Sequence, residues 1–203
     1  MYIKSVKIDN YRNFDGFEIM LDKGLNVIIG SNNAGKSGFL NVIKILNELS
    51  RMSIYDFNMN NLKKFYNSKY KESSPSISFI YTINHQVNIE DYNDEIINRI
   101  LPFFNIDKVK VCENEKIYDI DFSIKLEYVL DSKYDGEYKK AMKEIKCFDD
   151  YLNSFKLFEC HYVWKIYNAI NGDETSTSAL NGLFIIDFID AERNTNVIYE
   201  LAK

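Results

Sequence analysis

The residues whose types and spacing could do chemistry lie at positions 30–37, in the run Gly-Ser-Asn-Asn-Ala-Gly-Lys-Ser. Gly30 and Gly35 let the backbone turn so that successive N–H groups point inward. A loop of this kind that leads into the positive N-terminal end of a helix binds a multiply charged anion. Lys36 adds a full positive charge, and the Ser37 hydroxyl is a candidate ligand for a metal ion.

The spacing of this run matches the Walker A motif, which is glycine, four residues, glycine, lysine and a hydroxyl residue. It predicts a nucleoside triphosphate with Mg²⁺ as the ligand, and ATP is our first choice, with GTP left open. Lys36 would bridge the β and γ phosphates, and Ser37 would bind the metal. The predicted nucleotide-binding residues of the loop are Gly30, Ser31, Asn32, Asn33, Ala34, Gly35, Lys36 and Ser37.

Such a loop needs a buried strand before it and a helix after it. Residues 25–29 form a short apolar run without alternation, which is typical of a strand covered on both faces. After the loop, apolar residues recur at helical spacing on one side of residues 36–49, which predicts an amphipathic helix. The alternative, a glycine-rich turn with an exposed lysine, would not require this context.

The rest of the chain predicts an α/β protein with a mixed, partly antiparallel sheet flanked by helices. A hairpin is predicted from residues 3–14 and 17–21, turning at Asp15 and Gly16. Half-exposed strands are predicted at 77–83 and 118–128, helical structure at 137–155, and further strands at 158–166 and 183–189. Residues 50–76 are expected to be a mobile insertion with one short helix around residues 61–70.

Length and composition favour a single domain over residues 1–203, since 46% of its 203 residues are hydrophobic. A net charge of −5 gives no basic field for a nucleic-acid backbone, so binding of DNA by this chain alone is not expected. The three cysteines and two histidines have no metal-ligand spacing. No apolar run is long enough to span a membrane, and we expect a cytoplasmic protein.

The first fifty residues resemble the N-terminus of an SMC/RecF-like ABC ATPase, a class of P-loop NTPase, and most of all the ATPase domain of OLD (overcoming lysogenization defect) family nucleases. The resemblance rests on residues 3–14, which include Tyr-Arg-Asn-Phe, on the double asparagine in the loop, and on Phe-Ile-Asp-Ala-Glu-Arg-Asn at 188–194. It implies an ABC/SMC-like N-terminal lobe in which Arg12 and Asn13 also lie close to the nucleotide. It further implies a homodimer through the nucleotide face and action on DNA by the full-length protein.

Such ATPases complete their site with a signature motif, an Asp-Glu pair and a switch histidine, and OLD nucleases add a metal-binding nuclease domain. None of these is recognisable before Lys203, so we expect an N-terminal part of a larger ATPase, with hydrolysis belonging to the longer chain. One alternative is a nucleotide-sensing or scaffold module that does not hydrolyse ATP. The other is a compact P-loop NTPase in which Asp187, after the apolar residues 183–186, would hold Mg²⁺ through water.

Overall fold

A computed structural model of the chain describes residues 1–68, 70–88, 95–103, 109–112, 117–184 and 186–187. The strands are β1 (Tyr2–Asp9), β2 (Phe17–Met20), β3 (Ile77–Asn88), β4 (Val109–Cys112), β5 (Ile117–Leu130), β6 (Tyr162–Asn168) and β7 (Glu174–Thr175). The helices are α1 (Lys36–Ile45), α2 (Met59–Ser68), α3 (Glu95–Ile100), α4 (Asp135–Met142) and α5 (Phe148–Phe158). Short 3₁₀ helices cover Ile54–Asp56 and Glu159–His161.

The strands form one seven-stranded sheet in the order β2-β1-β3-β5-β6-β7, with β4 also paired to β5. Each of these pairs is antiparallel. The alternation seen in the sequence sets the register, because Phe79 lies opposite Leu126 and Tyr81 opposite Ile124, and all four are fully buried. The predicted hairpin and the antiparallel part of the predicted sheet are therefore confirmed. The sheet is not mixed among the described residues, because none of these strand pairs is parallel, and β1 is shorter than predicted.

Helices α1 and α5 pack on the buried face of this sheet. Helix α1 buries Phe39, Val42 and Ile45, and the Tyr81 hydroxyl donates to the Val42 carbonyl oxygen at 2.7 Å. Helix α5 contributes Phe155, whose ring meets Tyr162 of β6 and Phe57 edge-on at centroid distances of 5.5 and 5.2 Å. The helix carrying the candidate loop is thus fixed to the centre of the sheet by both packing and a buried hydrogen bond.

Trp164 in β6 lies among other aromatic residues of the sheet. Trp164 packs with Tyr128 and Phe79 at centroid distances of 4.9 and 5.9 Å, and its indole N–H donates to the Ser50 carbonyl. It is therefore a packing residue. The strand bearing it starts at Tyr162, later than predicted, because α5 and the 3₁₀ helix Glu159–His161 take up the preceding residues.

Residues 50–76 contact the core more closely than the sequence predicted. Met52, Ile54, Phe57 and Leu62 are buried, and α2 lies near the predicted short helix. Apolar side chains spaced irregularly around turns produce no helix or strand period, so sequence periodicity missed them. Mobility of this segment stays a prediction.

The predicted strand at residues 25–29 does not form. The segment has no strand partner within the described residues, and Leu25, Val27 and Ile29 are 90%, 70% and 89% exposed. Apolar composition alone cannot make a strand, since a strand requires a neighbour for its backbone hydrogen bonds.

The strand predicted at 183–189 is likewise not seen in its described part. Leu183 is buried at the end of a turn, while residues 184, 186 and 187 have no regular structure. Residues 185 and 188–203 lie outside the described part, and with them the end of this predicted strand and the resemblance at 188–194. No helix in the described ranges is long and apolar enough to cross a membrane.

Candidate phosphate-binding site

The loop at residues 30–37 ends in a left-handed residue at the start of α1. Gly35 has φ 96° and ψ 4° at the N-cap position, and its carbonyl oxygen accepts from the Phe39 N–H at 2.9 Å. Asn33 also has positive φ, at 64°. Glycine adopts this conformation at little steric cost, and asparagine tolerates it better than most residues. The backbone therefore turns sharply here, and the first N–H groups of α1 face the loop.

Lys36 folds back over the loop. Its Nζ donates to the Gly30 carbonyl oxygen at 2.7 Å and to the Ser31 carbonyl oxygen at 2.8 Å, while the Ala34 N–H donates to the Ser31 oxygen at 3.2 Å. These neutral acceptors hold the ammonium group weakly compared with an ionised phosphate, which forms charge-assisted hydrogen bonds. The lysine is thus positioned at the loop and can exchange its carbonyl partners for a phosphate.

The turn between β1 and β2 packs directly on the loop. Reciprocal backbone hydrogen bonds of 3.0 and 2.7 Å between Tyr11 and Phe14 close this turn. A methyl group added at Gly35 would lie 2.7 Å from Phe14 Cζ, and one at Gly38 would lie 3.3 Å from Phe14 Cε2. Asn13 Nδ2 donates to the Asn33 carbonyl oxygen at 3.0 Å. Phe14 therefore forms this contact, and Gly38 permits it because it has no side chain. Sequence reasoning missed both residues, although the glycine that follows the motif was an available signal.

Arg12 is held by Asp56, a second residue that sequence reasoning missed. Asp56 Oδ1 accepts from Arg12 Nε at 2.9 Å and Nη2 at 2.8 Å, and the Arg12 N–H donates to the Asp56 carbonyl oxygen at 2.8 Å. Asp56 Oδ2 in turn accepts from the Ser53 N–H at 3.0 Å. The carboxylate uses one edge of the guanidinium, and no described residue hydrogen-bonds to the Nη1 group. Arg12 can therefore bind an anion with its remaining N–H groups.

These groups surround one open pocket of about 960 Å³. Among the described residues, its lining is basic, polar or apolar, and none is acidic. Burial raises the pKa of the neighbouring Tyr11, with the Arg12 charge acting in the opposite direction, so this phenol stays neutral near pH 7. The lining residues are Arg12, Asn13, Phe14, Asn32, Asn33, Gly35, Lys36, Ser37, Gly38, Tyr55, Phe57 and Met59.

The donor chemistry fits a magnesium ion that accompanies a bound polyphosphate. Mg²⁺ takes hard oxygen ligands and keeps several of its waters. The exposed Ser37 hydroxyl, beside Lys36 in the first turn of α1, is one such oxygen. Asp187 is exposed and does not line the pocket. The described ranges contain no group of three or more His, Cys, Asp or Glu side chains that could hold a metal ion.

The structure brings the predicted site residues together. Most of them line the pocket, while Gly30, Ser31 and Ala34 shape the loop through the hydrogen bonds given above. Arg12 and Asn13, which only the family resemblance pointed to, reach the loop through the turn between β1 and β2. Their contact with a nucleotide stays a prediction.

The loop turns at a glycine, leads into a helix N-terminus and has a lysine side chain folded over its backbone. These features define a P-loop nucleotide-binding protein. A sequence model described as "AAA ATPase domain" matches residues 1–201. The chain therefore belongs to the AAA ATPase domain family. The ABC/SMC-like form of the lobe and membership of the OLD family are finer assignments than this match shows.

Several curated relatives share part of this sequence. The chain is 46% identical over 43 residues to the DNA replication and repair protein RecF of Clostridium botulinum (strain Eklund 17B / Type B), a stretch covering 21% of this chain and 12% of that protein. It is 44% identical over 46 residues to the RecF of Oceanobacillus iheyensis and 39% identical over 46 residues to that of Bacillus subtilis (strain 168), each covering 23% of this chain and 12% of the relative. The chain thus matches about one eighth of the length of these relatives.

Proposed function

We propose that this chain binds ATP with Mg²⁺ at residues 30–37 and is the nucleotide-binding part of an SMC/RecF-like ATPase. The observation that carries the proposal is the loop itself, in which Gly35 turns the chain into α1 and Lys36 Nζ lies over the Gly30 and Ser31 carbonyl oxygens. This arrangement concentrates backbone donors, a helix N-terminus and an ammonium group at one point. Polyphosphate is the ligand that such a cluster binds best.

Each residue has a distinct part in binding. The N–H groups at the start of α1 donate to the phosphates, and Lys36 leaves its carbonyl partners to bridge the β and γ phosphates. Arg12, fixed by Asp56, adds a second cation with free N–H groups. When bound, Mg²⁺ would be held by the Ser37 hydroxyl, the phosphates and water, and would neutralise part of the phosphate charge.

In a longer protein or assembly, we propose that this domain couples ATP binding and hydrolysis to action on DNA. The relatives named above are DNA replication and repair proteins, and the N-terminal resemblance extends to OLD family nucleases, with endonuclease, repair or phage-defence roles. A net charge of −5 favours contact with DNA through other parts of such a protein. If two copies associate through the nucleotide face, groups from one copy can reach the open pocket of the other.

A second candidate function is nucleotide sensing or scaffolding without hydrolysis. It is favoured by the makeup of the pocket, whose described lining offers cations, amides and aromatic rings. These groups bind a nucleotide but do not take a proton from an attacking water. The compact NTPase that would use Asp187 gains no support, because this residue does not line the pocket.

Binding and turnover of Mg²⁺-ATP should be measured for the wild type and for Lys36→Ala. We expect binding by the wild type, a loss of at least about 10-fold in affinity for the variant, and no turnover by either protein. Lys165→Ala is the matched control, because Lys165 pairs with Glu174 at the edge of the sheet opposite to β1 and β2, so ATP affinity should be unchanged. Wild-type affinity in Lys36→Ala, or no binding by the wild type, would overturn the proposal.

A further inference from the structure

Tyr55 is an exposed aromatic residue beside the loop that the phosphate chemistry leaves unexplained. Its side chain is 70% exposed, yet it lines the same pocket as Lys36 and Ser37. Isolated exposed aromatic residues are common on protein surfaces and need no explanation by themselves. An aromatic ring in the wall of a phosphate-binding pocket differs, because nucleotides carry a flat base together with their phosphates.

The local backbone gives Tyr55 a fixed position. It is the middle residue of the 3₁₀ helix Ile54–Asp56, in which three residues complete one turn and point in three directions. Ile54 enters the core at 3% exposure, and Asp56 binds Arg12, so Tyr55 is left to point outward. The backbone that carries the ring is therefore held in place by its neighbours, while the ring itself is exposed.

Three hydrogen bonds hold this short helix in place. The Ser53 N–H and hydroxyl both donate to Asp56 Oδ2, at 3.0 and 3.2 Å, which completes a capping box. The Ile54 N–H donates to Glu159 Oε1 at 2.6 Å, which ties the helix to the end of α5. A ring on such a support loses little conformational freedom when a flat ligand stacks on it.

We propose that Tyr55 is the stacking platform for the base of the bound nucleotide. The inference rests on the proposed function, because a base is delivered to this wall only when its phosphates are held at residues 30–37. Met59, which also lines the pocket, adds a polarizable apolar contact beside the ring. Lys156 Nζ lies 5.5 Å from the Tyr55 ring centroid, and this cation contact helps to hold the ring.

Stacking on a single ring is tolerant of the base, since every base presents a flat π face. Tyr55 therefore provides affinity for a nucleobase over bare polyphosphate, while it distinguishes weakly between adenine and guanine. The probe that isolates this contribution is inorganic tripolyphosphate, which carries the charges of a nucleoside triphosphate without the base. Comparison of ATP with tripolyphosphate separates the base contact from the phosphate contact.

The test measures the dissociation constants of ATP and of tripolyphosphate, each with Mg²⁺, for the full chain. Tyr55→Ala should weaken ATP binding about 10-fold and leave tripolyphosphate binding unchanged. Tyr55→Phe keeps the ring and should bind ATP within about 2-fold of the wild type. Leu157→Ala is the matched control, because it removes another side chain of similar exposure, 75%, from α5.

The outcomes distinguish the two proposals. If the wild type binds ATP and tripolyphosphate equally well, or if Tyr55→Ala weakens both equally, the stacking role is wrong while phosphate binding stands. If neither ligand binds the wild type, both proposals fail. Thermal unfolding of each variant should match that of the wild type, since Tyr55 and Leu157 are largely exposed.

Discussion

At the scale of single residues, the two cations of the pocket are held in different ways. Lys36 is bound only by neutral carbonyl oxygens, so it can transfer to a phosphate without leaving an unpaired charge behind. Arg12 is bound by the Asp56 carboxylate, which fixes its orientation and keeps part of its donor set free. This difference predicts that Lys36 moves on nucleotide binding and that Arg12 stays in place.

We expect Arg12→Ala to weaken Mg²⁺-ATP binding about 10-fold or more, because it removes charge-assisted hydrogen bonds and leaves Asp56 unpaired near the phosphates. The free energy of unfolding should fall by less than about 1 kcal/mol, since the Arg12 side chain is 40% exposed. Titration calorimetry and urea denaturation measure the two effects separately. Lys165→Ala, which breaks the ion pair with Glu174 at the opposite edge of the sheet, should leave ATP affinity unchanged and should also lower the free energy of unfolding by less than about 1 kcal/mol. Unchanged ATP affinity in Arg12→Ala would show that the Arg12–Asp56 pair is purely structural.

At the scale of elements, the described residues support the loop on one side only. The turn between β1 and β2 and helix α1 hold it through Phe14, Gly38 and the Asn13 hydrogen bond. On the other side, residues 25–29 approach the loop as an exposed apolar segment with no strand partner in the described ranges. The sequence predicts a buried strand there, whereas the structure exposes most of the segment. The two interpretations therefore predict different changes in the free energy of unfolding when the segment is mutated.

The double variant Leu25→Ser/Val27→Thr decides between these interpretations. Both side chains are largely exposed, so the free energy of unfolding should change by less than about 0.5 kcal/mol. If the segment were a buried strand, each change would cost about 1–3 kcal/mol. Ile124→Ala, at a fully buried position of β5, serves as the positive control and should cost about 2–5 kcal/mol in the same denaturation measurement. A large loss in the double variant would contradict the exposed segment.

At the scale of the whole molecule, tyrosines form a large part of the core. Burial raises the pKa of Tyr81, Tyr138 and Tyr162 above the ordinary value of about 10. Above that pH the unfolded chain releases these protons while the folded chain retains them. The unfolded state then binds fewer protons than the native state, so stability falls as the pH rises.

The chain should therefore unfold cooperatively in alkali, starting near pH 10. The stabilisation from these phenols is complete below the pKa of the unfolded chain, and above it each one lowers the free energy of unfolding by up to about 1.4 kcal/mol per pH unit. Tyrosinate absorbance of the buried group should rise together with the loss of far-ultraviolet circular dichroism. Tyr55→Phe should remove only an early, non-cooperative part of the absorbance change. Full ionisation of all fifteen tyrosines with unchanged dichroism would contradict this prediction.

The alternation in β3 and β5 made the antiparallel sheet predictable, because a strand with one buried face carries that pattern in its own residues. The loop and helix α1 were predictable for a similar reason, since Gly35, Lys36 and the apolar side of α1 are close together in sequence. Asp56, Tyr55 and Gly38 were not. Asp56 and Tyr55 depend on contacts between the first hairpin and residues 53–59, and Gly38 depends on the contact of α1 with Phe14. The glycine after the motif hinted at the second contact, but helix and strand periodicity records neither.

The sequence by itself determined the phosphate loop, the helix that follows it and the antiparallel pairing, since these depend on backbone conformation and short-range periodicity. Only the tertiary structure decided that Phe14 packs on the loop and that Asp56 holds Arg12. It also decided that Leu25, Val27 and Ile29 are exposed. The physical reason is that burial and hydrogen bonding depend on which distant segments meet, and an apolar run is a strand only when a partner supplies its backbone hydrogen bonds.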